Sequence, residues 1–171
     1  MIGNVNPDYV FGITNHVTFG RFDFSALIQG VHGNNILNAN RLQFLALNGF
    51  GGNIPLESYR NAFDPVTNPN GKYPMVTTNR VGVGRFSDAF VEDGSYIRLK
   101  NVQLGYELPP RVVPGAQSAR VYVSAINLLT STDYTGYDPE VSAFSTTAMR
   151  GVDLGSYPQS RLVSFGMTLT F

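Results

Sequence analysis

The chain has 171 residues, of which only 14% are charged, with twelve basic residues balancing twelve acidic ones and no cysteine. Zero net charge leaves no electrostatic footprint for nucleic acid or an anionic membrane surface, and without cysteine there is no disulfide framework, thiolate nucleophile or Cys-ligated metal. The charged fraction lies well under the roughly 25% of soluble domains, while 18 Gly, 10 Pro and 12% aromatics point to strands and turns.

The first residues, "MIGNVNPDYVFG", lack the basic and apolar regions of a secretory signal, and no run approaches the roughly 18 apolar residues of a membrane helix. The chain enters a strand at once and reads as a piece. Phe11, Ile13, Val17 and Phe19 share one parity against Gly12, Thr14, His16 and Thr18, which predicts an amphipathic strand over 10–19. Gly20 and Arg21 then carry the signature of a two-residue type II′ hairpin loop. The strand returning over 22–31 puts Phe22, Phe24, Ala26 and Ile28 on one face.

From 32 to 95 the sequence is irregular and rich in Asn, Gly and Pro, as long functional loops are. Within it "NNILNANRLQFLALN" carries Ile36, Leu37, Phe44, Leu45 and Leu47 and predicts one short helix. "GVGRF" lacks the strand-to-helix context and glycine spacing of a phosphate loop and reads as loop. "VEDGSY" reads as a turn in which Asp93 and Gly94 lead into the next strand.

That strand, 96–107, changes phase. Ile97 and Leu99 have one parity, Val102, Leu104 and Tyr106 the other, and a bulge near Asn101 restores a single apolar face. After Pro109 and Pro110 a further strand is predicted over 119–129, with Val121, Val123 and Ala125 on one side. A second long loop, 130–160, leads to the last strand, 161–171, where Val163, Phe165, Met167, Leu169 and Phe171 alternate with Ser164, Gly166, Thr168 and Thr170.

Short and long connections thus alternate strictly, as in up-and-down outer-membrane barrels with short periplasmic turns and long extracellular loops. Each strand is near the roughly 9 to 11 residues that cross a bilayer obliquely. Five strands fall short of the about eight that close the smallest barrels, and open edges in lipid cost several kcal/mol per unpaired group. Fold class is therefore all-β, an antiparallel transmembrane barrel segment that needs further strands, with its C-terminus on the periplasmic side. Tyr96 and Tyr106, near strand ends, suit interfacial girdles.

Candidate chemistry is sparse. "DYTGYDPE" groups Asp133, Asp138 and Glu140 with Tyr134 and Tyr137 in the second long loop. Its spacing matches no Ca²⁺ loop, and Asp-Pro with Gly is turn composition, so no metal or other cofactor is expected. Tyr134, Tyr137, Asp138 and Glu140 are instead candidate ligand-binding residues, since the amphipathic tyrosine ring suits a sugar face. His16 and His32 lack a serine and aspartate pattern, so no catalytic residue is assigned and the chain is not expected to be an enzyme.

Six blocks carry a resemblance: "IGNVNPDYVFGITN", "FDFSALIQGVHGNNILN", "FVEDGSYIRLKNVQLGYELP", "ARVYVSAINLLT", "YTGYDPEV" and "SYPQSRLVSFGMTLTF". Together, in order and over nearly the whole chain, they resemble the C-terminal end of the SusC/RagA family of TonB-dependent outer-membrane transporters of Bacteroidota. The resemblance implies a plugged barrel of about 22 strands, of which residues 1–171 supply the last five, with plug and signal peptide absent from this sequence. It implies import of oligosaccharides or peptides with a SusD-like surface lipoprotein, and energy from the TonB complex through the missing N-terminal part. It also implies that Phe171 is the C-terminal aromatic recognised by the barrel-assembly machinery, with membrane lipid against the apolar parity. The competing expectation is a soluble secreted β-domain that binds glycans through aromatic loops.

Overall fold

The computed structural model describes residues 2–45, 53–75, 87–141 and 149–171. The chain forms two compact units, one of residues 6–34, 94–134 and 158–171, the other of residues 1–5, 35–93 and 135–157.

The first unit is a single antiparallel sheet of five long strands: β1 (Tyr9–Phe19), β2 (Phe22–His32), β5 (Tyr96–Glu107), β6 (Ser118–Thr132) and β8 (Leu162–Thr170). Their order in space is β1-β2-β5-β6-β8, so each strand pairs with the next long strand in the chain. At one end Gly20 turns the chain with φ of 60°, which a residue without Cβ adopts freely. The other tight connection runs from Leu108 to Gln117, pinned by the Leu108 N–H on the Ala119 carbonyl and the Gln117 N–H on the Thr170 carbonyl.

Register aligns the apolar parities across all five strands. Val17, Phe24, Leu104, Val123 and Phe165 form one rung, and Phe19, Phe22, Tyr106, Val121 and Met167 the next. The opposite face carries His16, Ser25, Gln103, Ser124 and Ser164 in a single polar rung.

The phase change in β5 is a true irregularity: Leu27 and Ile28 of β2 stand opposite Asn101 and Leu99, leaving Lys100 as the extra residue. On β6 the partners of Asn101 and Leu99 are Ile126 and Leu129, so the slack grows again. Asn127 absorbs it with φ of 52°, in the left-handed region that Asn tolerates better than most residues. Sequence reading located the first bulge but not the second, because the positions flanking Asn127 keep their parity.

The second unit departs from the long structureless loops expected over 32–95 and 130–160. It holds a small sheet, β4-β3-β7, of β3 (Asn35–Asn38), β4 (Val91–Asp93) and β7 (Val152–Asp153). It also contains the helices α1 (Ala39–Leu45) and α2 (Leu56–Arg60). Its core is a cluster of Leu42, Tyr73 and Phe90, against which Leu37 packs. These residues lie far apart along the chain, so no local periodicity reveals them. The helix expected around "NNILNANRLQFLALN" begins only at Ala39, because Asn35–Asn38 pairs with β4 and β7. In "VEDGSY", Val91–Asp93 is a strand and only Gly94 and Ser95 intervene before β5. Leu47 and "GVGRF" lie outside the described residues.

Candidate functional site

Among the described residues, the two faces of the five-stranded sheet and a cavity in the second unit are candidate functional surfaces. The apolar face of the sheet stays open to its surroundings. Phe19 and Phe165 are each 83% exposed and Leu129 is 62% exposed. Such a patch is far from what a soluble monomer leaves uncovered, and a sandwich of the soluble kind would lay a second sheet on it.

The polar face is built with more precision. The Arg120 Nε donates to Asp23 Oδ2 at 2.8 Å and its Nη2 to Oδ1, a bidentate pair joining β6 to β2. It lies over Gly105 of the intervening β5, where a Cβ would sit 2.2 Å from Asp23 Oδ2 and 2.3 Å from Arg120 Nη2. The same guanidinium stands 5.1 Å from the centroid of the Tyr122 ring, which in turn occupies the space a side chain at Gly166 would need. Farther along this face Arg98, 2% exposed, donates through Nε to Thr130 Oγ1 at 2.9 Å. A planar guanidinium with five donors suits such fixed geometry better than lysine.

The cavity, about 870 Å³, is lined by Asn38, Asn40, Arg41, Phe44, Pro55, Glu57, Thr135, Gly136, Tyr137 and Gly155. Three of these residues, Asn38, Arg41 and Thr135, belong to a polar network centred on Glu92. The Asn38 side-chain amide donates to Glu92 Oε1 at 3.1 Å, Arg41 Nη1 to the same oxygen at 3.0 Å, and the Thr135 N–H to Oε2 at 2.8 Å. The Thr135 hydroxyl also reaches this carboxylate. Burial pushes the Glu92 carboxyl up, but these donors outweigh it and hold it below its ordinary value. Burial likewise raises the Tyr73 phenol, and its hydrogen bond to Glu57 raises it further against the opposing pull of Arg41.

Asn38 serves the helix as well, for its Oδ1 accepts the Arg41 N–H at 3.0 Å and so caps α1. On the far wall Asn40 Oδ1 accepts the Gly155 N–H at 2.8 Å. Two of its lining residues carry exposed aromatic rings, Tyr137 at 83% and Phe44 at 52% exposure.

Of the candidate ligand-binding residues, Tyr137 alone lines this cavity. Tyr134 is 5% exposed and belongs to the sheet unit, so its ring offers no open face. Asp138 is buried and accepts the Glu140 N–H at 2.9 Å, closing a turn. Among the described residues no three His, Asp or Glu side chains converge to hold a metal. Phe171 is exposed, one residue past the end of β8. Sequence reading missed Asn38, Asn40, Arg41, Phe44, Glu57 and Thr135, which segments about a hundred residues apart bring together. The available signal was the Asn at the helix start, a strong N-cap residue.

No family model matches the chain. It is 36% identical over its whole length to TonB-dependent receptor P3 of Formosa agariphila, of which it spans 17%. With the TonB-dependent receptor SusC of Bacteroides thetaiotaomicron it shares 26% identity over 96% of the chain and 15% of that relative. Among solved structures, the RagAB peptide transporter superposes on 98% of the chain with a TM-score of 0.80 and 26% identity, matching 17% of the solved chain.

Proposed function

This chain corresponds along its length to a segment of SusC/RagA-type TonB-dependent receptors and fits their C-terminal part, and from that premise we propose that it forms five adjacent wall strands and the outward segments of an outer-membrane importer. The observation that carries the reading is the apolar face that crosses all five strands and stays exposed. Hydrocarbon satisfies that face, and neighbouring strands of the same receptor satisfy the outer edges of β1 and β8, whose backbone groups have no ladder partner in this sheet.

In this reading the cargo is an oligosaccharide or a peptide, captured with a SusD-like lipoprotein and moved with energy from TonB engaged by a segment outside this chain. The turns at Gly20 and at 108–117 lie on the periplasmic side, as does the C-terminus, and the second unit belongs to the extracellular segments. Phe171 serves as the aromatic terminus read by the assembly machinery. Tyr137 is the ligand-contacting member of the loop 134–140, with Asp138 shaping its turn.

The test is to express the receptor that contains this segment, intact and with residues 9–170 removed, and to compare folded protein in outer-membrane fractions by heat-dependent gel migration. The intact receptor should migrate as a folded barrel and bring a surface lipoprotein with it on purification, whereas the truncated one should be degraded. Equal folding of both would remove the wall role. Phe171→Ala should lower the folded yield several-fold at an unchanged synthesis rate, and an unchanged yield would remove its assembly role.

A further inference from the structure

The rim of the five-stranded sheet, at its tight turns, holds another cavity of about 260 Å³, below the roughly 300–1,000 Å³ of pockets that enclose a whole small molecule. It lies where the hairpin at Gly20 meets the connection 108–117, and its charged lining residues are Arg21, Glu107 and Arg111. Two guanidiniums against one carboxylate leave this lining with a net charge of +1. The ion pairs of the described residues use neither Arg21 nor Arg111, and both arginines are exposed.

Arg111 stands where an arginine is costly. The Val112 N–H donates to the Pro109 carbonyl at 3.3 Å, closing a four-residue turn whose third residue, Arg111, has φ of 70°. Glycine is the ordinary occupant of such a position, and a residue with a Cβ is strained there. A guanidinium kept at a strained position points to a use for its charge. The apolar face runs into the same rim. Leu108 and Ala119, which line the cavity, continue the parity of Tyr106 and Val121 by one more rung. Phe22, next to Arg21 in the chain, holds its ring 4.7 Å from that of Tyr106.

A ligand that fits this rim brings an anion to the arginines and hydrocarbon to the rings, and a phospholipid carries both. Guanidinium forks match phosphate oxygens, and aromatic girdles mark the headgroup level of membrane barrels. A free phosphate would leave the apolar half unused. We infer that this cavity binds the phosphate of a phospholipid headgroup in the periplasmic leaflet, with Arg21 and Arg111 as donors and the acyl chains lying along the apolar face. The inference rests on the wall reading above and adds a site to it.

The experiment uses the complete receptor in detergent, stripped of bound lipid and scored first for heat-dependent migration. It is then given, one at a time, phosphatidylglycerol, phosphatidylethanolamine, diacylglycerol with the same chains, and glycerol 3-phosphate, and retention is read by native mass spectrometry. Both phospholipids should be retained, and the diacylglycerol, which has no phosphate, should be held about tenfold more weakly. Arg21→Gln and Arg111→Gln should each weaken phospholipid retention about tenfold. Arg111→Gly, which suits the positive φ, should fold at least as well as the native receptor and still lose lipid as Arg111→Gln does. Arg60→Gln, in the second unit, is the charge-matched control and should leave retention unchanged. Diacylglycerol or glycerol 3-phosphate held as tightly as the phospholipids, native retention in the Arg21 and Arg111 variants, an equal loss in Arg60→Gln, or a folded receptor that keeps no lipid would overturn the inference. A receptor that does not migrate as a folded barrel removes the wall reading and this site with it.

Discussion

At the scale of single residues, what shapes the polar face of the sheet is a missing side chain. Gly105 lets the Arg120–Asp23 fork pass over β5, because a Cβ there would overlap both partners. Gly105→Ala should therefore cost about as much as breaking the pair, roughly 1–3 kcal/mol. In a double-mutant cycle with Asp23→Asn it should be strongly non-additive, read as the urea midpoint of the folded receptor. Full additivity would show that the methyl group is accommodated elsewhere. Glu92 gives a second, pH-dependent handle. Its donors hold the folded carboxyl below its ordinary value of 4.5, so the stability it adds is full above that value and drains away as pH falls through the lower, folded one. Protease resistance of the second unit should decline on acidification in that window, and Glu92→Gln should be weaker at pH 7 but flatter with pH. A variant with the native pH profile would exclude Glu92 as the titrating group.

At the scale of elements, alternation decides everything, and it was legible. The parity of Phe11 to Phe19, Phe22 to Ile28, Val121 to Ala125 and Val163 to Leu169 marks strands because lipid or core must lie on one side only. The parity break after Leu99 signalled a bulge for the same reason. Of the second unit only the short helix at Ala39–Leu45 was legible; its core joins Leu37, Leu42, Tyr73 and Phe90 through tertiary packing that no short window contains. The cavity shares that difficulty, since Asn38 and Tyr137 meet only after both long connections fold. Of the named candidates, Tyr137 reached the cavity while the neighbouring Tyr134 was buried, a difference that the composition of the turn does not encode. The face assignment predicts an asymmetry within β5. Leu104→Arg places a charge on the apolar face and should destabilise the folded receptor by about 2–4 kcal/mol if it lies near the bilayer midplane, whereas Gln103→Arg on the polar face should cost much less. Equal penalties in thermal gel-shift assays would contradict the assignment.

At the scale of the whole molecule, the five strands leave an apolar face exposed and the outer edges of β1 and β8 unpaired in their sheet; in the proposed importer hydrocarbon covers the face and further strands pair the edges. The central claim is that hydrocarbon covers one face and water or protein the other. It is tested most directly by single-cysteine fluorescent labelling of the membrane-embedded receptor at consecutive positions of two strands, Phe24 to Ile28 in β2 and Val121 to Ala125 in β6, with quenching by brominated lipid. The account predicts a two-residue rhythm, strong quenching at 24, 26, 28, 121, 123 and 125 and little at the residues between. Uniform quenching, or apolar positions shielded from lipid as completely as the polar ones, would contradict it.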